Sequence, residues 1–80
     1  MGAVFRGHPQ YYIEYVSDRM VCGEYRHCAG RCSSLKSARS IISKTRSEAA
    51  AEHPRDFKVF DTYADIDPAT NHVPCVLFIP

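Results

Sequence analysis

The chain has no apolar run approaching the roughly 20 residues that cross a bilayer. Its start, MGAVFRGHPQ, has no apolar stretch of the kind that directs secretion, so the expected location is cytoplasmic, the cytosol of a host cell. Arg6 stands where an N-myristoylation start wants Ser or Thr, which removes that reading of Met1-Gly2. Glycine is scarce, four residues in 80, and there is no internal repeat or low-complexity segment, which excludes a fibre and a disordered tail. A large net charge is also missing. The total is +1 and the pI near 7.7, below the value above about 9 that marks many nucleic-acid-binding domains. No RNP, KH or helix-turn-helix pattern is present either. What remains is one short domain with a small core, residues 10–80, behind a flexible lead-in, residues 1–9.

The small total conceals an uneven distribution. Residues 19–46 carry net +6, whereas residues 47–80 carry net −4. Charge of one sign on one surface steers a partner of the other sign, and two opposite blocks side by side neutralise each other. The one clear helical pattern, Ser34 to Glu52, begins in the basic block and ends in the acidic one. Leu35, Ala38, Ile41, Ile42, Thr45 and Ala49 recur at three- and four-residue steps and form one stripe, while Lys36, Arg39, Ser40, Ser43, Lys44, Arg46 and Ser47 fall opposite. Ser33 or Ser34 supplies a capping hydroxyl, and His53-Pro54 is the expected stop.

Two segments on either side read as strands. QYYIEYVS, Gln10 to Ser17, and MVCGEYRH, Met20 to His27, form a hairpin around a turn at residues 17–19, with a bulge expected at Gly23 and a loop over residues 28–32. After the helix, Asp56 to Tyr63 alternates with period two, placing Phe57, Val59 and Tyr63 against Lys58, Phe60 and Thr62. A turn follows, with Pro68 setting it up and Asn71 suited to a left-handed conformation. Val73 to Ile79 is a fourth strand, apolar on both faces, hence either central or with one face reserved for another surface. The order predicts an α+β fold: a two-layer β-β-α-β-β arrangement, a four-stranded antiparallel sheet with one helix packed on one face. The other face then carries Tyr12, Val16, Phe60, Val76 and Phe78, or the alternate set, and a contiguous patch there marks an interface.

Residues able to carry chemistry are few. Cys22, Cys28, Cys32 and Cys75 are the set that would hold zinc, yet structural zinc sites present two close pairs, and Cys22 and Cys75 read instead as small core hydrophobes. No metal or cofactor is therefore expected, and a disulfide such as Cys28 with Cys32 is disfavoured by the lack of a secretion signal. His27 and Cys28 are adjacent on an extended chain and point to opposite sides, so they do not form a nucleophile and its base, and no catalytic residue is assigned. Asp61, Asp65, Asp67 and Asn71 begin like a calcium loop but lack its glycine and closing glutamate, and read as a solvated turn or a contact for basic groups. Arg26, Arg31, Lys36 and Lys44, with Arg39 and Arg46, are the candidates for phosphate contact on the helix face. Tyr11, Tyr12, Tyr15 and Tyr25 are the candidates for base stacking from the sheet.

The small domain, the hairpin-helix-hairpin order and the aromatic strands resemble, in architecture, the tiny proteins of phages and mobile elements, including certain anti-CRISPR proteins. That resemblance implies a non-enzymatic inhibitor that binds a host protein or protein–nucleic-acid complex stoichiometrically. Its interface would be Tyr12, Tyr15, Arg39, Arg46, Asp61 and Asp65, residue types suited to protein contacts. The alternatives are a nucleic-acid-binding protein using the basic helix face and a zinc-stabilised module; homodimerisation through the open sheet is also compatible.

Overall fold

A computed structural model describes residues 9–20, 23–66 and 68–80. Strands β1 (Tyr11–Met20) and β2 (Gly23–Cys32) are followed by helix α1 (Leu35–Glu48), a single 3-10 turn (Ala50–Glu52), and strands β3 (Arg55–Asp61) and β4 (Cys75–Ile79). The four strands form one antiparallel sheet in the order β2-β1-β3-β4, with α1 against one face, as the sequence pattern predicts. Residues 1–8, which hold most of the expected lead-in, and Cys22 and Asp67 lie outside the described residues.

The helix follows its sequence signals at its start. Ser34 is extended, and its hydroxyl accepts from the Ser37 amide at 3.1 Å, satisfying one of the first-turn donors. Ala38 and Ile42 are buried, and Ile41, Thr45 and Ala49 are half-buried, but Leu35 is 38% exposed because it precedes the turn that reaches the sheet. The helix stops four residues earlier than the His53-Pro54 signal predicts. Over residues 50–52 the winding tightens to 3-10, with Glu52 and His53 amides donating to the Ala49 and Ala50 carbonyls. His53 then turns left-handed (φ 52°) ahead of Pro54 and redirects the chain into β3.

The two hairpin strands are longer than their propensities indicate, whereas β3 ends at Asp61, short of the expected Tyr63, and β4 starts two residues late. β1 continues through residues 17–19, where a turn was expected, and Met20 pairs with Gly23; residues 21 and 22 lie outside the described residues. β2 runs on through 28–32, where a loop was expected, because Arg31 and Cys32 pair with Tyr12 and Tyr11. The β1–β2 ladder shifts register twice: at Ala29, where Ile13 faces Gly30 but Glu14 faces Cys28, and between the Ser17–Tyr25 and Met20–Gly23 pairs, beside the glycine where a bulge was expected. Gly30 has φ 149°, a conformation that favours glycine, and a Cβ there would meet Ile41 at 3.8 Å. A further irregularity, between Glu14 and Val16 in the β1–β3 ladder, coincides with Asp56 at φ 54°. Asn71 takes the left-handed conformation expected of it, φ 58°. β4 begins only after Pro74 and is an edge strand, which leaves the second of the two readings of its apolar faces.

The core lies between helix and sheet: Ile13, Phe57 and Val59 have no exposed surface, and Ala38, Ile42 and Cys32 complete it. Tyr11, Tyr15, Ala29, Ile41, Leu77 and Ile79 pack around this cluster. Among the described residues no helix is long and apolar enough to cross a membrane.

Candidate functional site: the open face of the sheet

Side chains alternate across a strand, so the residues between those core positions share the face that α1 does not cover. Pairing arranges them in rows. Arg31, Tyr12, Phe60 and Cys75 lie side by side across the four strands, and Cys28, Glu14, Lys58 and Phe78 form the next row. The Tyr12 and Phe60 rings are 6.2 Å apart and tilted by 34°, at the centre of the sheet. The Arg31 guanidinium sits 5.3 Å from the Tyr12 ring centre, a cation–π distance. Arg26 Nε is 3.9 Å from Glu14 Oε1, at the outer limit of an ion pair, and its side chain is largely solvated. At the far end Arg55 bridges Asp18 at 2.9 Å.

This face is concave because the chain between β3 and β4 rises along one side of it. The Asp61 amide donates to the Pro74 carbonyl, and both the Thr62 amide and its hydroxyl donate to the Gln10 carbonyl, fastening the base of that connection. Residues 70–75 form a wall beside a groove of about 900 Å³ whose floor includes Tyr12, Glu14, Lys58 and Phe60, with Arg26 at its border. Burial raises the Tyr12 phenol above its ordinary value of 10.0, the nearby Cys28 and Glu14 charges and a Cys28 hydrogen bond push it further, and Arg31 opposes them. The phenol is neutral at physiological pH. Beyond the groove, Val76 and Phe78 on β4 are 43% and 50% exposed.

The expected site residues divide between surfaces. Tyr12, Arg26 and Arg31 meet on the open face. Tyr15 faces the core side, stacked on His27 (4.9 Å) and on Phe57 (5.3 Å), and Tyr11 packs there too, so neither is placed for stacking from the open face. The side chain of Tyr25 lies outside the described residues. Lys36, Arg39 and Lys44 are exposed on the outer surface of α1. Arg46 instead lays its guanidinium 5.1 Å from the Phe57 ring centre and donates to the Pro80 carbonyl. Asp61 is occupied as a turn clasp, accepting from Gln10 Nε2 (3.1 Å) and the Tyr63 amide (3.0 Å), while Asp65 is exposed in the following turn. The six residues of the expected protein interface therefore do not form one surface.

The cysteine set also separates. The Ala29 bulge changes the face on which β2 side chains emerge, leaving Cys28 on the open face and Cys32 in the core, so the two do not approach as a pair. Cys75 is exposed rather than a core hydrophobe, the role that Cys32 takes. Among the described residues no group of three His, Cys, Asp or Glu side chains is placed to hold a metal ion.

One pair was not apparent from the sequence. Ser17 Oγ and His27 Nε2 are 2.7 Å apart across β1 and β2, though ten residues apart in the chain. Register alone could have exposed it, and the turn expected at residues 17–19, which β1 in fact crosses to pair Met20 with Gly23, concealed it. Ser17 has no exposed surface, so this contact ties two strands together and offers no nucleophile to a substrate.

Comparison of the chain with protein-family models, with curated proteins and with solved structures finds no match to any of them.

Proposed function

We propose that this chain is a small non-enzymatic binding module that acts by stoichiometric occupation, through the open face of its sheet. One observation carries the reading: α1 covers a single face, while the opposite face holds a groove with Tyr12 and Phe60 at its centre and Arg26, Arg31 and Lys58 around them. Half-buried aromatic rings and arginines at a concavity are the residue types that supply most of the energy in macromolecular contacts. Capture of ligands from lysate by the tagged chain, and by a Tyr12→Ala, Phe60→Ala double variant shown by circular dichroism to be folded, tests this. A macromolecule retained by the first and lost by the second is expected; equal retention by both would remove the open face from the function.

A second reading rests on β4. Val76 and Phe78 are exposed apolar groups on an edge strand, which suits a protein contact of the kind an anti-CRISPR-like inhibitor makes on a host defence complex. Phe78→Asp, which leaves the groove intact, separates this from the first reading: loss of a nuclease-resistant protein partner would favour it.

A further inference from the structure

We infer that the occupant of the groove is a single-stranded nucleic-acid segment, bound by stacking of two successive bases on Tyr12 and Phe60 and by phosphate contacts from Arg26, Arg31 and Lys58. The inference rests on the open face being the binding surface and adds the chemistry of what binds there.

Four features point to this ligand. The two rings lie on neighbouring central strands at 6.2 Å, a spacing that takes two bases splayed apart and exceeds the spacing of a continuous base stack. The cations are distributed around the rings and not beside one another, Arg31 at one end of the aromatic row and Lys58 and Arg26 in the rows below it. A strand laid along the rings would therefore meet Arg31 at the Tyr12 end and have Lys58 and Arg26 along one flank. The groove lining itself sets two cations, Arg26 and Lys58, against one carboxylate, Glu14, which is within 3.9 Å of Arg26, and Arg31 adds a third cation from outside the groove, over the Tyr12 ring. Thr62, Thr70 and Asn71 on the wall supply neutral hydrogen-bonding groups that tolerate any base edge.

A duplex does not fit this arrangement. Its bases are stacked on one another and turned inward, so it could reach the cations but not the rings. The outer face of α1, with Lys36, Arg39 and Lys44, would attract either form of nucleic acid without discrimination. Ring stacking and phosphate pairing read neither the base nor the 2′-hydroxyl, so DNA and RNA single strands are expected to bind alike.

The test is fluorescence anisotropy with the purified chain and four labelled probes: a thymidine decanucleotide, a uridine decanucleotide, a ten-base-pair DNA duplex and a decamer of glutamate. Both single strands should bind within a few-fold of each other and more tightly than the duplex or the peptide. With two or three phosphates engaged, affinity should fall about 7- to 20-fold between 50 and 200 mM salt. Tyr12→Ala and Phe60→Ala should each weaken binding by about 5- to 150-fold, the worth of one stacked base. Lys58→Glu, at an exposed position and checked for folding by circular dichroism, should weaken binding and flatten its salt dependence; Lys36→Ala with Lys44→Ala should change it less than twofold. Equal binding of duplex or glutamate decamer, or dependence on the helix lysines and not on the rings, would overturn the proposal. So would failure of both oligonucleotides to bind at 50 mM salt. In that event a lysate ligand still lost on Tyr12→Ala, Phe60→Ala substitution would keep the binding-module reading and transfer the groove to a protein.

Discussion

The two faces of the sheet are built from the same strands, residue by residue in alternation, yet they obey different rules. On the covered face Ile13, Phe57 and Val59 are withdrawn completely from water against Ala38 and Ile42. On the open face their immediate neighbours Tyr12, Lys58 and Phe60 remain partly or largely solvated, each aromatic ring with a polar or charged group in reach. The first set is selected by shape and volume; the second combines apolar surface with charge, which a core does not need. One face accounts for the stability of the domain, and the other is free to differ.

Substitutions of equal size on the two faces should therefore differ in cost. Phe57→Ala removes a ring with no exposed surface, lying at the contact of Tyr15, Arg46 and the core, and should destabilise by about 3–5 kcal/mol. For a domain of this size that approaches the whole stability. Phe78→Ala, on a ring half exposed at the edge strand, should cost less than about 1 kcal/mol. Urea denaturation of both variants measures the contrast; equal midpoints would mean that the faces are not energetically distinct.

The next effect tests what keeps the faces apart along β2. Gly30→Ala places a Cβ where φ is 149°, and the strain should cost about 1–3 kcal/mol although the nearest atom of Ile41, at 3.8 Å, leaves room for the methyl. A stability loss without loss of oligonucleotide binding is the expected combination, since Ile41 lies under the covered face. Had the cost come from crowding, Ile41→Val would relieve it, and in the double variant it should not.

Which parts of this were legible in the sequence follows from the range of each interaction. The helix start, the four strands and their order in the chain depend on neighbours within a few residues, and hydroxyl capping and hydrophobic period reveal them. The bulge at Ala29 and the Ser17–His27 contact depend on register between strands, which no local pattern states. Tyr15 is a different case, because alternation along β1 already separates it from Tyr12 and the expected interface did not apply it. The two are the same residue type; along the strand an odd number of steps separates them, and one faces the core while the other faces solvent. Phe60 was visible as an outward residue, but its pairing with Tyr12, which makes a site of two rings, appears only when β1 and β3 are placed side by side.

Ser34→Ala removes the hydroxyl that accepts the Ser37 amide at 3.1 Å and should cost about 1 kcal/mol, read as a small fall in the urea midpoint. The helix end is remote from the groove, so affinity should be unchanged. A larger loss in binding than in stability would show the two faces to be coupled through α1.

The smallest effect concerns one proton on the open face. The Tyr12 phenol is raised above 10.0 by burial first, then by Cys28 and Glu14, with Arg31 acting in the opposite sense. In the unfolded chain the phenol would ionise at its ordinary value, so the folded state holds the proton more tightly. Its contribution to stability is present below about pH 10 and is lost as the pH climbs from there through the raised folded value. Absorbance titration of the phenolates should show a late component that Tyr12→Phe removes. Arg31→Ala should shift that component to still higher pH, because the one charge that lowers it has gone, and Cys28→Ser should bring it back toward 10. A shift in the opposite direction in Arg31→Ala would mean that the guanidinium does not rest on the ring, and with that contact the ordered row of Arg31, Tyr12 and Phe60 would be lost as the basis of the open face.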